Sequence, residues 1–277
     1  MGVKWLRNWC IVIGRMSIKE WTIFDIGLFG GDKYQVLKVV AGWKQKRPLW
    51  IATVNPEFVM KTRKDALFKQ ILSRTDVNVI DGVALLWARE VLKRDTFLSR
   101  MWQGLKTGRE VLRGAYDQKV VRGSELMIDL VMQIDREKGK IFLLGGFGQA
   151  AEKTGAFLRS KFLISDDKLK TCCGEPELSD KEVVKQIQEF RPDLLLVAYG
   201  MVKQEKWIAA HLSDLQKAGV RVVMGVGRSF DYYSGNLKRA PEKWRKMGLE
   251  WLYSLIQEPK RWRRQLALVR FVNAVIR

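Results

Sequence analysis

The side chains best suited to chemistry in this 277-residue chain follow two short apolar runs. Thr53 and Asn55 end the run LWIATVN, and Asp81 ends the run VNVID. The carboxyl ends of neighbouring parallel strands meet at one edge of a sheet, so these side chains are expected to share a crevice. A carboxylate there can take a proton from an attacking hydroxyl, which makes Asp81 a candidate general base. The alternative is that Asp81 and Gly82 only form a turn after a strand.

Other catalytic residue types are scarce. The chain has one histidine, His211, and three cysteines, at positions 10, 172 and 173. This composition indicates neither a zinc site, nor a Ser-His-Asp triad, nor a disulfide framework, and it is typical of a reducing compartment. We therefore expect no zinc site, and we expect His211 to be structural. No cofactor is expected.

Two further segments carry candidate binding residues. The glycines of GGFG (145–148) follow an apolar run and would let the backbone approach a phosphate at a helix N-terminus. They do not form GxGxxG, so the dinucleotide fingerprint is absent. Gln204 and Glu205 open another helical pattern. Gln204 is a candidate for bonding a sugar or base, and Glu205 is expected to be a favourable first-turn charge.

The elements that must position these residues alternate between strand and helix. Most of the predicted strands are followed directly by a helical pattern, which predicts an α/β fold with a mostly parallel sheet flanked by helices. Strands are expected at 49–55, 77–82, 140–148, 193–200 and 221–227. The stretch 96–116 is less regular, and it fits either a mobile loop over the site or a surface helix of poor propensity.

A net charge of +20 predicts attraction to nucleic acid, anionic lipid or phosphate-bearing substrates. No apolar run reaches the roughly 20 residues of a spanning helix, and no signal peptide is expected. Residues 1–20 form a basic extension that either lies on a bilayer or is disordered, and residues 21–237 form the predicted catalytic domain. Residues 238–277 hold eleven Lys and Arg against three acidic residues, interleaved with aromatics.

This tail, 238–277, predicts a helical membrane-binding appendage, because tryptophans favour membrane interfaces and basic residues attract anionic lipid. Arg261, Arg263 and Arg264 suit a phosphate group, since guanidinium matches phosphate geometry. The alternative is a solvated basic face.

Eight motifs together resemble the WecG/TagA/CpsF family of glycosyltransferases, from about Trp21 to Arg264. They are TVNPE (53–57), DGVALLWA (81–88), RGSELM (122–127), FLLGG (142–146), AYGMVKQEKWI (198–208), GVGRSFDYYSG (225–235), RAP (239–241) and GLEWLYSLIQEPKRWRR (248–264). The resemblance implies a Rossmann-like domain and transfer of a sugar, typically N-acetylmannosamine or its uronic acid. The implied donor is a UDP-sugar and the implied acceptor is N-acetylglucosamine on undecaprenyl diphosphate, in teichoic acid or related surface polymer synthesis. Inversion without a metal is also implied.

The resemblance also assigns roles. Asp81 matches the proposed base, Thr53 and Asn55 match pocket residues, and Gln204 matches a sugar- or nucleotide-contacting residue. Arg261 and Arg264 match arginines that the appendage brings over the diphosphate. We predict further nucleotide contacts within these motifs, from Gly145, Gly146, Gly200, Gly225, Gly227 and Asp231. The implied location is the cytoplasmic face of the membrane, bound peripherally, with a homo-oligomer as an open possibility.

The chain departs from the family pattern at Val120 and Ser254, where arginines are usual. Lys119 and Arg122 are candidate substitutes for the first, and Arg228 is a candidate replacement charge. These departures leave a catalytically degenerate, nucleotide-sugar-binding member as one alternative. A basic nucleic-acid-binding protein is the other, but no nucleic-acid motif is present and we expect no specific nucleic-acid partner.

Overall fold

The computed structural model describes residues 10–13, 16–174 and 180–277, with side chains described for 21–174, 181–260 and 262–277. Strands and helices alternate along these ranges, as the apolar runs predicted. The strands are β1 (Cys10–Ile13), β2 (Met16–Ile23), β3 (Ile26–Phe29), β4 (Leu49–Val54), β5 (Val77–Ile80), β6 (Ile141–Gly145), β7 (Leu169–Cys172), β8 (Leu194–Ala198) and β9 (Val222–Gly225).

The helices lie between these strands and after the last of them. They are α1 (Lys33–Gly42), α2 (Pro56–Thr62), α3 (Ala66–Leu72), α4 (Val83–Val91), α5 (Phe97–Leu112), α6 (Gly123–Arg136), α7 (Ala150–Phe162), α8 (Asp180–Phe190), α9 (Lys203–Lys217), α10 (Ser229–Tyr233), α11 (Glu242–Lys246), α12 (Glu250–Gln257) and α13 (Trp262–Ile276). Short 3-10 turns cover 117–119, 166–168 and 259–261.

The described strands form one sheet in the order β1-β2-β3-β5-β4-β9-β8-β6-β7. Every pairing from β3 to β7 is parallel, whereas β1, β2 and β3 pair antiparallel at one edge. The predicted mostly parallel sheet is therefore confirmed. The boundary predicted at residue 20 falls inside β2, so the described part of the N-terminal extension belongs to the sheet edge. Residues 1–9, 14 and 15 lie outside the described residues.

Alternate side chains of each strand pack on opposite faces of the sheet, with one core cluster on one face and two on the other. Ile51 packs toward α1, α6, α7 and α10, whereas Trp50 and Ala52 pack toward the helices of the other face. All of Leu49–Val54 is buried. Helices on both faces explain why the strands read as unbroken apolar runs.

Helix α13 is part of this core. Phe271 and Val275 have no exposed surface and pack with Phe58 of α2 and Leu85 of α4. The sequence predicted an appendage outside the domain, but the spacing of these two residues gives α13 a core-facing stripe. The end of the tail therefore packs as part of the α/β domain. No helix in the described ranges combines the length and apolar character needed to cross a membrane.

The irregular stretch 96–116 contains the regular helix α5. Thr96 caps it, because the Thr96 hydroxyl accepts the Ser99 N–H at 3.3 Å and the Ser99 hydroxyl accepts the Thr96 N–H at 3.2 Å. This reciprocal pair satisfies two donors that a helix start leaves open. Of the two expectations for this stretch, the surface helix is confirmed.

Candidate active site

Two cavities open at the carboxyl ends of the parallel strands. The Asp81 cavity, with a volume of ≈ 730 Å³, lies beyond β5. The glycine-loop cavity, with a volume of ≈ 970 Å³, lies beyond β6 and β8. After β6 the chain continues to β7 on one side, and after β8 it continues to β9 on the other side. The glycine-loop cavity therefore lies at a topological switch point of the sheet. Ligands of open α/β sheets bind at such crevices.

Asp81 is held at the floor of its cavity by neighbouring backbone. Its N–H donates to the Val54 carbonyl at 2.8 Å, which continues the β4–β5 ladder for one more residue. Gly82 then takes φ +107°, a conformation that glycine adopts without strain, and the chain turns into α4. The Asp81 carboxylate accepts a long bond, 3.5 Å, from the Gly123 N–H at the start of α6. Asp81 and Gly82 therefore form the turn after β5, and the same turn places the Asp81 carboxylate in the cavity.

The environment of Asp81 raises the pKa of its carboxyl group. Desolvation by surrounding protein raises the pKa of Asp81 from 3.8 to about 7, and the Glu250 carboxylate adds to the rise. The Gly123 N–H, Arg122 and Arg239 act in the opposite direction. Asp81 remains half-buried, because one side of it lines the cavity. A carboxylate with a pKa near 7 accepts a proton from a hydroxyl more readily than an ordinary aspartate does.

Asn55 lines the cavity beside Asp81, as the strand-end argument predicted. Its side-chain oxygen caps α2 by accepting the N–H groups of Glu57 and Phe58 at 2.9 and 3.1 Å. Thr53 lies beneath the cavity and does not line it. The Thr53 hydroxyl donates to the Gly225 carbonyl at 3.5 Å, and its methyl group lies against Gly123. Direct substrate contact by either residue stays a prediction.

Arg122 also lines the Asp81 cavity, held by its own partners. Its guanidinium pairs with Asp117 and donates to the Arg245 carbonyl at 3.2 Å. Arg239 and Arg245 both bond Glu125, at 2.9 and 2.6 Å. This network joins the start of α6 to the segment around α11. Arg122 is positioned near the base, and its use as a substitute phosphate ligand stays a prediction.

Arg228 and Arg264 line both cavities and therefore stand at the boundary between them. Arg264 pairs with Glu57 through two bonds, and Arg228 pairs with Glu258 at 2.6 Å and Asp231 at 3.3 Å. An anion at this boundary would meet both guanidinium groups. The side chain of Arg261, the other predicted arginine, lies outside the described residues.

The six predicted nucleotide contacts divide into two groups. Gly146, Gly200, Gly227 and Asp231 line the glycine-loop cavity. Gly145 and Gly225 do not, because side chains cover them. A Cβ on Gly145 would lie 2.6 Å from the Tyr199 ring, and one on Gly225 would lie 2.5 Å from the Gln204 amide nitrogen. These two glycines are required for packing beneath the cavity.

Gln204 and Glu205 form a buried brace between the ends of β8 and β9. Gln204 lines neither cavity; its oxygen accepts the Gly227 N–H at 2.9 Å and its nitrogen donates to Glu205 at 2.7 Å. Glu205 also accepts the Val202 N–H at 2.8 Å. Instead of a solvated first-turn charge, Glu205 is fully buried, which raises its pKa to about 7. Gln204 in this arrangement holds the Gly227 loop, so ligand contact by Gln204 would require another rotamer.

His211 lies away from both cavities, as expected of a structural histidine. Its ring stacks on Trp207 at 4.5 Å and its Nδ1 lies 2.9 Å from the Trp207 carbonyl. Within the described residues, no group of three or more His, Cys, Asp or Glu side chains is arranged to hold a metal ion.

Sequence reasoning missed Tyr232 and Glu250, which both line the Asp81 cavity. Glu250 and Asp81 also raise the pKa of Tyr232, after the larger effect of burial. The available signal was that Glu250 is one of three acidic residues in a strongly basic tail. Sequence reasoning also missed the largely apolar wall of this cavity, formed by helices α4, α5 and α13.

Comparison with known proteins gives the same assignment across the chain. The WecG/TagA/CpsF glycosyl transferase family model matches residues 21–113 and 103–277. A Bacillus spizizenii protein named N-acetylglucosaminyldiphosphoundecaprenol N-acetyl-beta-D-mannosaminyltransferase is 26% identical over 239 residues, 84% of this chain and 80% of the relative. A Staphylococcus aureus (strain MRSA252) protein of the same name is 28% identical over 213 residues, 77% of this chain and 74% of the relative. The chain belongs to the WecG/TagA/CpsF family of glycosyl transferases.

Proposed function

We propose that this protein is an inverting, metal-independent glycosyltransferase that moves N-acetylmannosamine, or a related N-acetylhexosamine or uronic acid, from a UDP donor. The acceptor is N-acetylglucosamine on undecaprenyl diphosphate, in surface polysaccharide or teichoic acid synthesis. The names of the two relatives support the sugar and the acceptor.

The reaction follows from the residues at the cavity boundary. The Asp81 carboxylate takes the proton of an acceptor hydroxyl, and the hydroxyl oxygen forms a bond to the anomeric carbon of the donor sugar. The bond from that carbon to the UDP oxygen breaks, and the electron pair leaves with UDP. Arg264 and Arg228 neutralise the charge that develops on the diphosphate, as preorganised cations do in many transferases.

One observation carries the proposal. Asp81, with a pKa of about 7, lies in a cavity that shares Arg228 and Arg264 with the glycine-loop cavity. A donor whose nucleotide occupies the glycine loops would place its diphosphate at the arginines. Its sugar would then lie toward Asp81, where an acceptor entering along the apolar wall would meet it.

A lipid-linked acceptor requires the enzyme to work at a membrane surface. We propose peripheral attachment at the cytoplasmic face, supported by the net charge of +20 and by exposed Trp251 and Trp262. Trp244 stacks edge-on against Tyr253 at 5.8 Å and has a partner within the protein.

The test is a panel of UDP-sugars with lipid-linked N-acetylglucosamine in anionic liposomes, with mass spectrometry of the product. We expect a disaccharide from a UDP-N-acetylhexosamine and none from the Asp81→Asn variant. Proton NMR of the product gives the anomeric configuration. A product of retained configuration, or full activity of Asp81→Asn, would contradict the mechanism.

A binding protein without turnover is the second candidate, favoured by the carboxylates already paired with Arg228 and Arg264. It predicts that calorimetry detects a UDP-sugar complex while no donor in the panel yields product. Detection of product with any donor rules it out.

A further inference from the structure

Helix α5 carries an apolar stripe on its solvent side, which runs from Phe97 to Leu105 and resumes at Leu112 after Gly108 and Arg109. At about 100° per residue, all six side chains of the stripe fall within about 140° of the helix circumference. The stripe comprises Phe97, Leu98, Met101, Trp102, Leu105 and Leu112. Each of the six is exposed, with 71% of Leu98 and 75% of Trp102 accessible. Contiguous exposed apolar side chains of this kind mark interaction surfaces on soluble domains.

The stripe is not the face by which α5 joins the domain. A different face of the helix buries Gly104, Thr107 and Val111. Gly104 packs against Trp87, whose indole N–H donates to the Gly104 carbonyl at 2.9 Å. Because α5 is already anchored through that face, the exposed stripe contributes nothing to the fold described here and is available to a partner.

The stripe is continuous with the Asp81 cavity. Leu105 and Leu112 belong to the stripe and also line that cavity, and Leu268 and Val272 of α13 line it as well. An apolar chain lying along the stripe would therefore pass directly to the cavity that holds Asp81.

Basic residues lie beside the stripe and, at Arg109, within its arc. Lys106, Arg109 and Arg113 are exposed and stand on α5 or directly after it, and Arg94 precedes the helix. A helix with a tryptophan-containing apolar face and a basic border is typical of segments that lie in the interface of an anionic bilayer.

We propose that the apolar stripe of α5 inserts into the interface of an anionic bilayer, so that the Asp81 cavity opens directly onto the lipid that carries the acceptor. This inference rests on the proposed function for its acceptor. The membrane surface then comprises α5 in addition to the C-terminal tail, and α5 supplies the larger apolar contact.

The experiment is vesicle flotation of the full chain with Leu98→Glu/Trp102→Glu, since neither residue lines a cavity. Vesicles of phosphatidylcholine with phosphatidylglycerol are compared with phosphatidylcholine alone. The matched control is Tyr34→Glu/Leu67→Glu, which places the same two charges at exposed apolar positions on α1 and α3. A neutral variant, Leu98→Ser/Trp102→Ser, separates lost insertion from charge repulsion, and thermal denaturation checks that all variants fold.

We expect the partition coefficient on anionic vesicles to fall by about tenfold or more in both α5 variants and to stay unchanged in the control. Unchanged binding of the α5 variants overturns the proposal. So does a wild-type dimer that these variants convert to monomer without a change in vesicle binding, because the stripe would then be an interface between two copies of the chain.

Activity is measured separately, with N-acetylglucosamine diphosphate on a short, water-soluble alkyl chain. The α5 variants are expected to keep wild-type turnover on this acceptor and to lose it on the membrane-embedded one. If the wild type itself is inactive on both acceptors, the proposed function fails while the vesicle result still decides the role of α5.

Discussion

Arg264 and Glu57 form a two-bond ion pair that joins helix α13 to the first turn of α2. The Arg264 Nε lies 2.9 Å from one Glu57 oxygen, and a terminal nitrogen lies 2.8 Å from the other. Both side chains remain partly exposed, at 44% and 28%, so water screens the pair. A diphosphate at the boundary of the two cavities would compete with the Glu57 carboxylate for the same guanidinium edge.

This competition predicts opposite effects of changing the two partners. Arg264→Ala is expected to lower kcat/KM about 100-fold, because a charge that stabilises the leaving diphosphate is lost. Glu57→Gln is expected to lower the donor KM about threefold, since a partly exposed pair is worth under about 1 kcal/mol. Steady-state kinetics with varied UDP-sugar measures both. Arg270→Ala, an exposed arginine on the same helix, is the control, and a raised KM in Glu57→Gln would argue against competition.

Replacing Asp81 with asparagine separates catalysis from stability. Asp81→Asn is expected to reduce kcat about 1,000-fold, because asparagine cannot take the proton of the acceptor hydroxyl. It should also stabilise the fold above pH 7. The folded pKa of about 7 exceeds the ordinary 3.8, so the stability linked to the protonated carboxyl is complete below pH 3.8 and lost as the pH rises to 7.

Thermal denaturation of both proteins at pH 5 and pH 8 checks the sign. The advantage of asparagine should grow to about 1–2 kcal/mol at pH 8, less than the full shift implies because the cavity keeps Asp81 partly hydrated. Glu205 titrates in the same range but is common to both proteins, so its contribution cancels. If the asparagine variant gains no stability relative to the wild type between pH 5 and pH 8, the pKa of Asp81 is not raised in the folded protein.

Glu250, in the C-terminal part of the chain, contributes to the raised pKa of Asp81. Its carboxylate helps to raise the pKa of Asp81, so Glu250→Gln should lower that pKa. The acid limb of the kcat/KM profile is expected to move down by about half a unit to one unit, with an unchanged plateau at high pH. Glu242→Gln, an exposed acidic residue of the same tail, is the control. An acid limb that stays in place would exclude electrostatic coupling between Glu250 and Asp81.

The sequence predicted those parts of the site that local patterns encode. Apolar runs that end in polar residues gave the parallel strands, and with them the shared cavity of Asn55 and Asp81. The contribution of Glu250 to that cavity was not predictable, because it depends on how α12 packs against α11 and α13. The burial of Glu205 was not predictable either. A first-turn glutamate is normally solvated, whereas Glu205 is buried by its packing against β9.

Helix α5 shows why a helical pattern of apolar residues does not always decide between helix and loop. Its apolar residues recur at helical spacing, but Gly104 and Gly108 weaken the helix signal, so a loop and a surface helix were equal alternatives. Gly104 is small because the Trp87 ring lies 3.1 Å from where its Cβ would be, and that contact joins two separate helices. A small residue is required at position 104 because of this tertiary contact, which cannot be inferred from one sequence alone.

Gly123 fixes the distance between α6 and the base. A Cβ at this position would lie 2.9 Å from the Thr53 methyl and 3.6 Å from an Asp81 oxygen. Gly123→Ala should therefore push α6 away and lengthen the bond from its N–H to Asp81, with a loss of kcat of about tenfold to 100-fold. Gly42→Ala, where nothing lies within 4 Å, is the matched control for an added methyl group. Equal activity of the two variants would show that the distance between α6 and Asp81 does not affect catalysis.

The position of Phe271 decides whether the C-terminal tail can be treated as a separate unit. Its ring is fully buried among side chains of α2 and α4, so Phe271→Ala should cost about 3–5 kcal/mol of unfolding free energy. Val269→Ala, two residues earlier and 64% exposed, should change it by less than about 0.5 kcal/mol. Urea denaturation measures both. With Phe271 in the core, removal of the tail is expected to unfold the domain. Point variants such as Arg264→Ala therefore test the catalytic role proposed for the tail. An unfolding free energy of Phe271→Ala equal to that of the wild type would instead favour the tail as an independent appendage.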